Sequence, residues 1–111
     1  MARQKLYFKY EIPTGVVEIV KSVCVDYDRR ERAIKFSNVT GAVLTRYIEL
    51  NNAVDKALAA IEVGLRKDML SDINKKRGFQ FSAASTLISK NAYYRRRRKL
   101  IYDIAKELAL L

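Results

Sequence analysis

The chain has 111 residues, half of them hydrophobic and 31% charged, and carries a formal net charge of +10 with a pI near 9.9. This length suits one domain, and so much apolar material excludes a globally disordered chain. So large a positive balance asks for a polyanionic partner, nucleic acid first and an anionic membrane surface second.

Residues 1–12 are basic and aromatic, with Leu6, Phe8 and Tyr10 alternating with Tyr7 and Lys9. They read as a short strand or as an arm, and their charges rule out a signal peptide. Pro13 suits the first turn of a helix, where its missing N–H costs nothing, and Thr14 offers a cap. Val16, Val17, Val20, Val23, Cys24, Tyr27, Ala33 and Ile34 then recur at helical spacing and predict a first helix over 14–36. The valines keep a strand over 15–25 as the competing reading. Cys24, the single cysteine, lies between Val23 and Val25 and reads as a small buried hydrophobe, compatible with a reducing cytoplasm.

Ser37 and Asn38 break the pattern and can cap a second helix over 39–63, whose stripe includes Val43, Leu44, Tyr47, Ile48, Val54, Leu58 and Ile61. Asn51-Asn52 is expected to bend or briefly break it. Gly64 separates it from a third helix over 65–76 that turns Leu65, Met69, Leu70 and Ile73 inward. Gly78, after Lys75-Lys76-Arg77, is the expected stop, because cations favour the last turn and glycine tolerates the left-handed cap. Ser82 caps a short helix over 83–88, residues 89–91 turn the chain, and a last helix covers 92–110. No apolar run approaches the roughly 18 to 20 residues that cross a bilayer. The expected architecture is all-α: residues 1–63 form an arm and a helical packing or oligomerisation region, and residues 64–111 form a helix-turn-helix within the same domain.

The charge is uneven. Residues 1–61 hold ten Lys and Arg against seven Asp and Glu, whereas residues 62–111 hold twelve against five, so +7 of the total lies in the second half. Its densest part is Tyr93-Tyr94-Arg95-Arg96-Arg97-Arg98-Lys99, at the start of the last helix. A helix-turn-helix lays the start of its second helix on base edges in the major groove. On a helical projection Tyr93, Arg97, Leu100, Ile104 and Leu108 share the inner side. Lys90, Asn91, Tyr94, Arg95 and Arg98 then point outward with donors suited to guanine and adenine edges. Arg96 and Lys99, and more weakly Arg97, fall to phosphates, and Ser89 caps the helix. A plain solvated basic face is the bland alternative. Base stacking by Tyr93 and Tyr94 on a single strand is another.

The sequence holds no catalytic constellation. Without histidine there is no histidine-based acid–base or metal site, and one cysteine cannot build a zinc site of the usual kind. No phosphate-cradling glycine loop appears. Asp26 with Asp28 reads as a helix-surface feature and Asp68 with Asp72 as an i,i+4 pair beside Lys67 and Lys76, neither of them as a nuclease centre. The chain is expected to be no enzyme and to need no cofactor.

The stretch from Ser85 through Ser89, Tyr93, Tyr94, Arg95, Lys99, Ile104, Ala105 and Leu108 resembles the end of small phage and prophage transcriptional regulators of the RinA/ArpU kind. It is similar as well to the sigma-factor region that reads the promoter −35 element. The likeness covers residues 62–111. Ala92 stands where that family usually has Thr, which removes one phosphate contact, and Ala109 replaces a frequent Gly. The resemblance implies a regulator of late or packaging genes in a bacterial host cytoplasm. Taken with the helical projection, it gives a double-stranded DNA-binding site of Ser89, Lys90, Asn91, Tyr94, Arg95, Arg96, Arg98 and Lys99. A contact to RNA polymerase, a homo-oligomer and no membrane association complete the expectation. The alternative is an architectural or DNA-packaging protein akin to a small terminase subunit.

Overall fold

The computed structural model describes residues 11–111, so the expectation for most of the N-terminal arm lies outside the described residues. Among the described residues five α-helices and two 3₁₀ turns follow one another, with no strand. They are α1 (Thr14–Val25), α2 (Tyr27–Lys35), α3 (Gly41–Leu58), α4 (Val63–Asn74) and α5 (Lys90–Glu107), with 3₁₀ turns at Phe79–Phe81 and Ala83–Thr86.

The valine-rich start is helical. Pro13 is the residue before its first turn, with φ −57°, and its carbonyl accepts from the Val17 amide at 3.1 Å. Val20, Val23 and Cys24 are buried along one stripe, which overrides the weak helix propensity of β-branched residues. The single long helix expected over 14–36 is instead two. The backbone bends at Asp26, whose carbonyl opens α2 by accepting from the Arg30 amide at 3.0 Å. The bend lets Arg30 fold back. Its guanidinium donates to the Val23 carbonyl and, from Nε, to Asn51 Oδ1 at 2.6 Å.

Asn51 explains why α3 does not break where the sequence suggests it should. Its amide nitrogen donates to the Tyr27 carbonyl at 3.2 Å and to Glu31 Oε1 at 2.8 Å, so the side chain joins helices instead of competing for its own backbone. Arg30 and Asn51 are only 3% and 2% exposed, and together they bind α1, α2 and α3 into one body. α3 is shorter than expected at both ends. Gly41 opens it at φ +61°, a backbone that glycine alone adopts freely, and it ends at Leu58.

α4 takes Gly64 into its first turn. The expected stop at Gly78 is also displaced. The left-handed residue that ends α4 is Lys76 at φ +55°, with the Arg77 amide reaching back to the Asp72 carbonyl at 2.7 Å. Gly78 itself is extended, with φ −95°. The short helix expected over 83–88 is one 3₁₀ turn. Ser82 Oγ accepts from the Ala84 amide and Thr86 Oγ1 donates to the Ala83 carbonyl, which holds the backbone in tight local bonds. Ala84 alone of that turn is buried, and Leu87 just beyond it is exposed.

α5 is the central helix. It packs on α1, α3 and the 3₁₀ turns, while α1 also packs on α4 and α2 pairs with α3. Tyr93, Leu100 and Ile104 are wholly buried with Val20, Val54, Met69 and Ile73. Each such side chain stabilises the fold by about 1.5–3 kcal/mol. Their burial fixes which side of α5 faces water.

Candidate nucleic-acid interface

Ser89 starts the site. It is extended, and its Oγ accepts from the Ala92 amide at 3.2 Å, so the side chain satisfies one of the helix's unpaired N–H groups. Lys90 and Asn91 follow in the first turn, both exposed. At 3.6 residues per turn, Asn91, Arg95 and Arg98 fall within an arc of roughly 60° on the side of α5 away from Tyr93, Leu100 and Ile104. Arg95 is the most exposed of the five consecutive cations, and the other four are half-buried.

The arginine run is sorted by its surroundings. Arg96 leans toward α4 and grips Glu62, with Nε at 3.0 and 2.8 Å from the two carboxylate oxygens and an Nη at 2.7 Å. The hydrogen bonds from Arg96 hold the Glu62 carboxyl below its ordinary range, and the same bonds raise the Arg96 pKa. Arg97 turns inward. Its Nη1 donates to the Tyr93 hydroxyl at 2.9 Å and to the Arg77 carbonyl, with the guanidinium over the Tyr93 ring. Lys99 pairs with Asp103 one turn later at 2.5 Å. Of the residues expected at phosphates, Arg96 and Lys99 are thus already ion-paired in the free chain.

Tyr94 lies at the edge of the outward arc. Its ring meets Tyr93 edge to face at 5.0 Å between centroids, and its hydroxyl accepts from the Phe79 amide at 3.1 Å. A Cβ on Gly78 would sit 2.9 Å from that hydroxyl, so glycine at 78 serves a close approach and not a helix stop.

Behind the exposed face lies a buried polar network that local periodicity did not reveal. The Tyr93 hydroxyl donates to Asp72 Oδ2 at 2.8 Å, and Asp72 is wholly buried. Arg77 brings Nε within 3.2 Å of Asp72 Oδ1 and donates from Nη2 to Ser71 Oγ. Burial, and then the bond to Asp72, push the Tyr93 pKa upward. The network ties α4 and the chain after it to the inner side of α5. Lys75 and Lys76, next to it, are exposed and were absent from the expected site. Their signal was in the sequence, as part of Lys75-Lys76-Arg77, but it read only as a helix end.

Cys24 is buried, and desolvation pushes its thiol up to about 12, so it is no nucleophile at neutral pH. No helix among the described residues is long and apolar enough to cross a membrane. The chain matches no protein-family model, no curated protein and no solved structure.

Proposed function

We propose that this chain is a non-enzymatic, sequence-specific double-stranded DNA-binding regulator of transcription, of phage or prophage type, acting in the cytoplasm of a bacterial host. The start of α5 enters the major groove. Arg95, Arg98, Lys90 and Asn91 address base edges. The observation that carries the reading is that Asn91, Arg95 and Arg98 share one arc of a capped helix whose opposite side is anchored in the core. A rigid helix with donors on one side presents them in a fixed geometry, which base readout requires. The charge of residues 62–111 supplies the sequence-independent attraction.

In this reading Arg96 and Lys99 exchange their carboxylate partners for phosphates on binding, and α2 and α3 are available to a second copy or to RNA polymerase. Selection of bound sequences from a random duplex pool tests it. Enrichment of a compact motif is expected, and a pool that stays random removes the sequence-specific claim.

One observation favours a second reading, an architectural or DNA-packaging protein. Two single 3₁₀ turns precede α5 in place of a two-turn helix, which leaves less protein to brace the recognition helix across the backbone. Light scattering separates the two, since a large ring belongs to packaging and a monomer or dimer to the regulator.

A further inference from the structure

We infer that the loop at residues 75–78 is a second phosphate-contacting element of the α5 face, with Lys75 and Lys76 as its contacts and Tyr94 and Arg97 as the positioning residues that hold it beside the helix. The inference rests on the duplex DNA reading of α5.

Three successive cations end α4, and the fold treats them differently. Arg77 turns inward to Asp72 and Ser71. Lys75 and Lys76 stay exposed. Lys76 does so at a cost, because it occupies the left-handed position at φ +55° that glycine or asparagine adopts more cheaply. Ser37 and Ala109 take the same left-handed backbone, and of the three Lys76 alone carries a charge, held at the surface where a polyanion can reach it.

The loop is also fixed to the helix that carries the other cations. The Tyr94 hydroxyl holds the Phe79 amide at 3.1 Å, a Cβ on Gly78 would crowd that hydroxyl, and Arg97 holds the Arg77 carbonyl. Both anchoring side chains arise from the first two turns of α5, between Asn91 and Arg98. Loop and helix therefore form one unit, and a strand of phosphates bordering the groove that α5 enters meets Lys75 and Lys76 without loop ordering.

The occupant is a polyanion backbone and not a small anion. The groove behind Lys76 is lined by Glu18 and Asp26 as well as Lys21 and Arg97, so it offers no site of one sign. The lysines act from its rim, as contacts that position a nucleic acid without reading it.

The test uses the full chain, a labelled random-sequence duplex, and binding measured by anisotropy from about 50 to 200 mM salt. The K75Q/K76Q variant is expected to keep the wild-type fold and melting temperature. The slope of log affinity against log salt becomes shallower by about two, at roughly 0.9 per phosphate contact. Tyr94→Phe keeps the ring and loses only the bond to Phe79. It is expected to lower affinity in the wild type and to have no further effect in the K75Q/K76Q background, a coupling that a merely structural role would not give. If wild type binds duplex but K75Q/K76Q retains its affinity and slope, the loop is no contact and the inference falls while the α5 reading stands. If wild type fails to bind duplex, or prefers single strands, the α5 reading falls and the duplex backbone as occupant falls with it.

Discussion

The Tyr93 hydroxyl donates to the buried Asp72 carboxylate at 2.8 Å and joins α5 to α4 at the base of the cationic face. Removing the donor leaves a wholly buried carboxylate short of one bond, and an unsatisfied buried group costs about 1–3 kcal/mol, more when charged. Tyr93→Phe is therefore expected to destabilise the chain by at least about 2 kcal/mol in urea unfolding. An unchanged midpoint would mean that Arg77 alone satisfies Asp72.

Alkaline pH should weaken the fold through tyrosines. Burial raises the pKa of Tyr93 first and its bond to Asp72 adds to this, while Tyr27, half-buried and bonded to Asp55 at 2.5 Å, is raised by the same two causes. An unfolded tyrosine titrates near ~10. Below that pH both states keep the proton and the stabilisation is complete. Above it the unfolded chain gives up its protons first, so stability falls as pH rises. A melting temperature that drops above about pH 10, and drops less in a Y27F/Y93F variant, is the expected result.

Arg30 is the polar hub of the first three helices. It bonds to Asn51 and to the Val23 carbonyl while 3% exposed. Hydrogen bonds to charged groups are each worth about 1.5–3 kcal/mol, so Arg30→Ala should cost roughly 2–4 kcal/mol. On a chain of this size that lowers the melting temperature by about 10 °C or more. A loss of a degree or two would show that α2 contributes little to the folded body.

Lys76 separates stability from binding. Lys76→Gly relieves the left-handed backbone and should raise stability by up to about 1 kcal/mol, less the entropy glycine regains in the unfolded chain. The same variant should bind duplex DNA more weakly. A variant that melts lower would show that the Lys76 side chain contributes contacts beyond its charge.

Much of this was legible locally. The stripes of Val20, Val23 and Cys24 and of Leu100 and Ile104 follow the helical repeat, as do the caps at Ser82 and Ser89 and the inward turn of Tyr93. What the sequence hid depends on partners far along the chain. The bend at Asp26 contains no Gly or Pro, and the contact it allows, Arg30 with Asn51, spans 21 residues. Arg96 meets Glu62 across 34 residues, so the helical projection could sort the arginine run by direction but could not name that partner. Gly78 read as a helix stop because glycine often is one. Its purpose is the approach of Tyr94, which only the packing of α5 on the preceding turn creates.

The most direct test of the central claim is the affinity of wild type and Arg95→Ala for a selected duplex and for random duplex across a salt series. The account predicts affinity that falls steeply with salt, preference for the selected duplex in wild type, and loss of that preference by about 1–3 kcal/mol in Arg95→Ala with the salt slope nearly kept. A flat salt response, or a variant weakened equally on both duplexes, would contradict the assignment of the outward face of α5 to base readout.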